Sequence, residues 1–233
     1  MKSYLLSVAK EILPPFILKF LHNLKKKFNK TNFATSPKNQ KLDLYFDKEM
    51  AKILDTWGER NAWIDVQHIF SDKKGKILDI ACGTGKVLEI LDKNYDLDVY
   101  GCDISSFLID KAKKKISEKK LKVCDATNLP YESNSFDYCY SIGSLEHFTE
   151  SGILSFLESS SRVTKIKGYH MIPVSRSEED HGWINNYQSY FNNSVEWWSA
   201  ICKKASLKYK FIDSTWEDEI SIGKWLVVEK IKI

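Results

Sequence analysis

Leu78-Asp79-Ile80-Ala81-Cys82-Gly83-Thr84-Gly85 sets the architecture of this chain. Residues 76–80 form a short apolar run that enters a turn of small residues. Ala81, Gly83 and Gly85 let backbone come close to a ligand before a helix begins at Lys86. On the C-terminal side, apolar runs at 98–102, 121–124, 136–142 and 169–174 read as further strands. Helical spacing covers 86–91, 105–115 and 150–163 between them. Asn193, with Glu196 three residues on, reads as the capped start of another helix, and runs at 209–213 and 224–229 close the chain as strands. On the N-terminal side, apolar residues from 42 to 70 recur at helical spacing and predict two helices broken at Gly58. Alternating strands and helices predict an α/β, doubly wound, mostly parallel sheet, whose ligands bind beyond the carboxyl ends of the strands.

Three acids punctuate those ends. Asp103 follows Gly85 by 18 residues and ends the second strand, where a carboxylate can hold both hydroxyls of a ribose. Asp125, with Ala126, ends the third, where it can accept an adenine amino hydrogen. Asp79 stands at the mouth of the glycine turn. A dinucleotide site wants GxGxxG and an anion-seeking helix terminus, whereas this turn reads AxGxG and places an acid at its entrance. Such an acid repels pyrophosphate and suits an ammonium group.

The turn resembles motif I of the class I S-adenosylmethionine-dependent methyltransferases, of the methyltransferase type 11 group. Asp103-Ile104 resembles their ribose-binding motif, and Asp125-Ala126 their adenine-binding one. Phe136-Asp137-Tyr138, continued by Ser141-Ile142-Gly143-Ser144-Leu145-Glu146-His147-Phe148, resembles the motif that follows their fourth strand. Ala81 departs from the family, which usually has Gly there. The resemblance implies a Rossmann-like sheet of seven strands in the order 3-2-1-4-5-7-6, with the last strand antiparallel. It implies S-adenosylmethionine as cofactor, held by Asp79, Ala81, Cys82, Gly83, Gly85, Asp103, Ile104, Asp125, Ala126 and Ser141, with Trp57 in a helical cap above.

A sulfonium methyl group is already an activated electrophile, so the expected chemistry needs no metal. The acids Glu217-Asp218-Glu219 lack His or Cys companions at ligand spacing and read as a solvated turn. What matters is an acceptor held in line and, for a hydroxyl acceptor, a general base. His147 after the fourth strand and His181 in the loop after the fifth are the candidate catalytic residues, each weighed against a packing role. That second loop also carries Arg176, Trp183 and Tyr187, which suit a phosphate, a ring face and hydroxyls of an acceptor. The start at residues 12–28 and the block at 168–177 resemble bacterial methyltransferases of surface-polysaccharide biosynthesis. That implies O-methylation of a sugar hydroxyl, or of a phosphoryl or phosphoramidate oxygen, on an activated capsule or glycan precursor. Two alternatives stay open: a small amine or quinol-type acceptor, and a non-catalytic, membrane-tethered protein that only binds S-adenosylmethionine.

Composition bounds these readings. The chain has 233 residues and a net charge of +4, but residues 1–30 hold seven lysines and one acid, leaving −2 for the remainder. A body so balanced is not built to grip a phosphate backbone, so no nucleic-acid partner is expected. Within residues 12–30 apolar side chains recur every three or four positions among lysines, the pattern of a helix lying on anionic lipid. Residues 1–41 are expected to be that helix and a polar linker, and 42–233 the methyltransferase domain with its cap and a lid after the fifth strand. Five cysteines without a CxxC pair, no apolar run of spanning length and no cleavable leader point to the cytoplasm, with peripheral contact at the inner face of the membrane.

Overall fold

A computed structural model of the chain describes residues 32–34, 48–185 and 189–229. The basic segment over residues 12–30 lies outside the described residues. In chain order the elements are β1 (Asn32–Ala34), α1 (Lys48–Leu54), α2 (Ala62–Phe70), β2 (Gly75–Ile80), α3 (Lys86–Asn94), β3 (Leu97–Asp103), α4 (Ser106–Ala112), β4 (Leu121–Val123) and β5 (Phe136–Ile142). There follow α5 (Glu150–Val163), β6 (Thr164–Ser175), β7 (Trp183–Asn185), β8 (Ser189–Phe191), α6 (Val195–Lys204), β9 (Lys208–Glu217) and β10 (Ser221–Glu229).

Seven strands form one sheet in the order β4-β3-β2-β5-β6-β10-β9. Counted along the chain, that is 3-2-1-4-5-7-6, the expected order. β2 runs parallel to β3 and β5, β3 to β4, and β5 to β6, while β10 is antiparallel to both β6 and β9. Both faces of the sheet are covered, which explains why β2 is apolar without alternation. Leu78 and Ile80 pack under α5 and α6 with Phe156, Leu157 and Trp198. Ile77 faces the other way, into Val66, Phe70, Leu88 and Trp225.

The two N-terminal helices separate over residues 55–61, as the break at Gly58 predicts. The Trp63 ring lies against Gly58 so closely that a β-carbon there would come within 2.3 Å of Nε1. α2 is tied to the far edge of the sheet by buried Asp65. Its Oδ2 accepts from Ser214 Oγ at 2.6 Å, the Thr215 amide at 2.9 Å and Trp225 Nε1 at 3.0 Å.

Two expectations are corrected. Residues 31–41 are not wholly linker, because Asn32–Ala34 forms β1. It pairs antiparallel with β7, which pairs with β8, giving a second, three-stranded sheet beside the loop after β6. The β7–β8 hairpin has a bare edge, and edge pairing with a distant segment leaves no local pattern in the polar stretch that supplies it. The cap of α6 is Ser194, not Asn193. Ser194 Oγ accepts from the Trp197 amide at 3.1 Å, while Asn193 Oδ1 accepts from the Gly182 amide at 2.6 Å.

Candidate active site

The turn between β2 and α3 owes its shape to three left-handed residues within five: Ala81 at φ 63°, Gly83 at φ 54° and Gly85 at φ 72°. Gly85 caps α3, and a β-carbon on it would lie 2.9 Å from Ala112 Cβ. Ala81 holds its left-handed conformation with a methyl group, a strained arrangement. Asp103 braces the turn from the end of β3. Its Oδ2 accepts from the Gly83 amide and its Oδ1 from the Ser105 amide, both at 2.9 Å. Burial raises the Asp103 carboxyl above its usual range against those hydrogen bonds.

Asp79 is buried at the last turn of β2 and accepts from the Tyr140 hydroxyl at 2.8 Å. Burial, then the charge of Asp103, push its pKa well up against that one hydrogen bond. The helical cap is fastened above the turn: Thr84 Oγ donates to Asp55 Oδ1 at 2.6 Å, and Lys115 Nζ bridges Asp55 Oδ1 at 2.7 Å and Thr84 O at 3.0 Å.

Between cap, turn and the strand ends lies a cavity of about 370 Å³. Met50, Ile53, Leu54 and Trp57 roof it, and Asp79, Ala81, Cys82 and Gly83 form one wall. Ile142, Glu146, His147, Tyr190, Trp216 and Asp218 stand in the other. His147 sits in a short 3-10 turn, residues 145–147, after β5. Its Nδ1 lies 2.7 Å from Ser189 O, a pure acceptor, so Nδ1 carries the hydrogen and Nε2 the lone pair. Burial lowers the His147 pKa and keeps the ring neutral. Beside it Glu146 is buried, its Oε1 3.7 Å from His147 Nε2, and burial raises its carboxyl to about 8.

Of the residues expected from sequence, Asp79, Ala81, Cys82, Gly83, Trp57 and His147 meet at this cavity. Gly85, Asp103, Ile104, Asp125 and Ala126 stand on the adjoining turns at the same edge of the sheet, outside the wall. Asp125 Oδ1 accepts from the Thr127 amide at 2.8 Å. Ser141 is not brought to the cavity: it is fully buried, with Oγ 2.9 Å from His170 Nδ1. His181 Nε2 lies 2.8 Å from Ser177 Oγ, away from the wall. Arg176 donates to Glu217 Oε2 at 2.8 Å and Asp218 O at 3.0 Å, and Trp183 packs edge-on against Phe191. Tyr187 lies outside the described residues. Tyr190, one of the loop aromatics that suit an acceptor, also reaches the wall, whereas sequence reasoning gave no site role to Glu146, Trp216 or Asp218. Glu146 alone had a local signal, as an acid directly beside the candidate base. Among the described residues, no group of three or more His, Cys, Asp or Glu is placed to hold a metal ion.

The cavity is bounded by a backbone cradle without bulk and one buried acid, Asp79, with Asp103 and Asp125 at the next two strand ends. Residues 77–168 match a family described as a methyltransferase domain. A probable tRNA methyltransferase 9B of Mus musculus is 30% identical over 149 residues, 63% of this chain and 31% of its own length. The chain thus spans about a third of that relative. A ubiquinone/menaquinone biosynthesis C-methyltransferase of Campylobacter jejuni is 28% identical over 170 residues, 70% of this chain and 71% of its own. A crystal structure of an S-adenosylmethionine-dependent methyltransferase from Aquifex aeolicus shares the fold with a TM-score of 0.56 at 21% identity, covering 79% of this chain and 100% of that one. The Haemonchus contortus phosphoethanolamine N-methyltransferase 2, solved with S-adenosyl-L-methionine, does so at 0.59 and 16%, covering 73% and 52%. Residues 77–168 are thus similar to a methyltransferase domain, and the chain has the fold of S-adenosylmethionine-dependent methyltransferases.

Proposed function

We propose that the protein is a methyltransferase that methylates a neutral hydroxyl group, most simply a sugar hydroxyl of an activated surface-glycan precursor. The observation that carries this reading is His147, fixed through Nδ1 on Ser189 O and standing in the cavity wall. Bound S-adenosylmethionine supplies an activated methyl group. Asp79 holds the ammonium end, Asp103 the ribose and Asp125 the adenine amino group, while the cap excludes water. The acceptor oxygen gives its proton to His147 Nε2, a role that supplies typically about 10²–10⁴-fold in rate.

The charge of the wall favours a neutral acceptor over a phosphoryl or phosphoramidate oxygen. Among the described residues it presents the acids Asp79 and Asp218, beside the neutral carboxyl of Glu146, and a single cation, Lys86, which is paired with Glu89 at 3.2 Å. Tyr190 and Trp216 offer faces for a sugar ring. The near-neutral balance of the chain beyond residue 30 supports a small acceptor rather than the nucleic acid named for the tRNA methyltransferase relatives. A quinol-type acceptor is the second reading, supported by the apolar cap and by the quinone-pathway relative. The amphipathic lysine-rich segment supports holding the enzyme at the inner face of the membrane. Among the described residues no helix is long and apolar enough to cross one.

Radiolabelled S-adenosylmethionine, offered with nucleotide-activated sugars, soluble quinols and phosphate esters, tests the assignment. Label should enter a sugar. His147→Ala should lower that transfer at least about 10²-fold while product-cofactor binding persists. Label appearing only in quinol or phosphate ester overturns the proposal.

A further inference from the structure

Glu146 is 5% exposed, stands in the cavity wall, and its Oε2 is buried with no hydrogen-bond partner among the described residues. Buried polar oxygens are rarely left in that state unless a ligand completes them. Oε1 lies 3.7 Å from His147 Nε2, and it would lie 3.4 Å from a β-carbon on Gly143, which is a glycine at φ 59°. The terminal carboxyl torsion is broad and roughly two-fold, so either oxygen can turn to the cavity. The titratable groups around it are His147 on the same turn, Tyr190 of β8, Asp79 at the end of β2, Asp218 after β9 and Lys86 at the start of α3. The cation in that set is held by Glu89, and the ammonium of the cofactor is answered by Asp79.

A hydrogen-bonding carboxyl and a basic ring nitrogen side by side make a donor–acceptor pair. A hydroxyl offers lone pairs and one donor and satisfies both; an anionic phosphoryl oxygen offers only lone pairs and leaves the ring nitrogen unmatched. We propose that Glu146 is a specificity-determining residue that donates a hydrogen bond to the acceptor oxygen while His147 Nε2 takes its proton, selecting hydroxyls over phosphate esters. This rests on the hydroxyl-acceptor reading above. In the step itself the oxygen lone pair forms the new O–CH₃ bond. The S–CH₃ bond breaks with its electron pair left on sulfur, and the hydroxyl proton passes to Nε2. Burial, which raises the Glu146 carboxyl, keeps it in donor form at neutral pH.

Glu146→Gln and Glu146→Met test the assignment in the complex with S-adenosylhomocysteine. Wild-type minus E146Q infrared difference spectra at pH 7 should show one protonated-carboxyl band, which shifts when nucleotide-activated sugars are added. E146M should lower kcat/KM for the alcohol about 10²-fold, as loss of one donor at a reacting oxygen does, with homocysteine-product affinity unchanged. E146Q, whose amide still donates, should recover to within about 10-fold of wild type. Absence of the band, wild-type rates in E146M, or equal damage in both variants overturns the role of Glu146 alone. Wild-type protein that binds the product cofactor yet methylates amines or phosphate esters instead, or none of the panel, overturns the acceptor reading and this inference with it.

Discussion

Replacing Glu146 with glutamine should change how stability responds to pH. Burial holds the Glu146 carboxyl at about 8 in the fold, against an ordinary 4.5 in the unfolded chain. Between those values the unfolded chain has released a proton that the native state retains. Stability therefore falls as pH rises through this window, and the contribution of the neutral acid is fully present only below about 4.5. One proton of difference corresponds to about 1.4 kcal/mol per pH unit, so the full interval corresponds to about 5 kcal/mol. Glutamine keeps the shape and cannot titrate. Asp79, Asp103 and His147 are present in both proteins and cancel in the comparison to first order. Denaturant unfolding of both proteins at pH 5, 6, 7 and 8 gives the measurement. The variant should gain on wild type steadily, by about 4 kcal/mol across those three units. Parallel pH curves would refute the claim that Glu146 is buried as a neutral acid.

Ala81→Gly should stabilise the protein. Relief of a left-handed methyl residue at φ 63° is worth roughly 1–2 kcal/mol, less about 1 for the added freedom of glycine in the unfolded chain, so the midpoint should rise by about 2 °C. Asp79→Asn should leave the fold intact, since an amide oxygen still accepts from the Tyr140 hydroxyl, but should weaken S-adenosylhomocysteine binding about 10- to 10²-fold by calorimetry. Asp65→Ala should strand Ser214 Oγ, the Thr215 amide and Trp225 Nε1 in a buried site and cost about 3 kcal/mol, read as a fall of about 10 °C in midpoint.

The placement of the three acids at strand ends was legible because its signals are local. Each ligand-facing turn follows directly from one strand, so Asp79, Asp103 and Asp125 fall at strand ends that the apolar runs mark by themselves. The doubly wound class was legible for the same reason, while the strand order came from the family resemblance. The cap of α6 was misplaced by one residue because Asn193 and Ser194 are both good caps, and what separates them is the distant Gly182 amide that claims Asn193. β1 was illegible for a stronger reason: its partner, Trp183–Asn185, lies about 150 residues away.

The acceptor half obeys the opposite rule. Met50 comes from α1, His147 from the turn after β5, Tyr190 from β8, and Trp216 and Asp218 from the end of β9 and beyond, so no window of sequence holds two of these elements. Arg176 shows how composition misleads there. A rare arginine in a polar loop suits a phosphate, yet its guanidinium is answered by Glu217 and Asp218 O, acids read as a solvated turn. Those two readings were coupled, since the turn that seemed idle is the partner of the cation that seemed available. With that cation engaged outside the wall, the proposed selectivity rests not on charge but on the donor–acceptor geometry of Glu146 and His147. An acceptor would then be chosen by the hydrogen-bonding capacity of one oxygen, and a remote anionic group on the same molecule would have to find its partners outside this cavity.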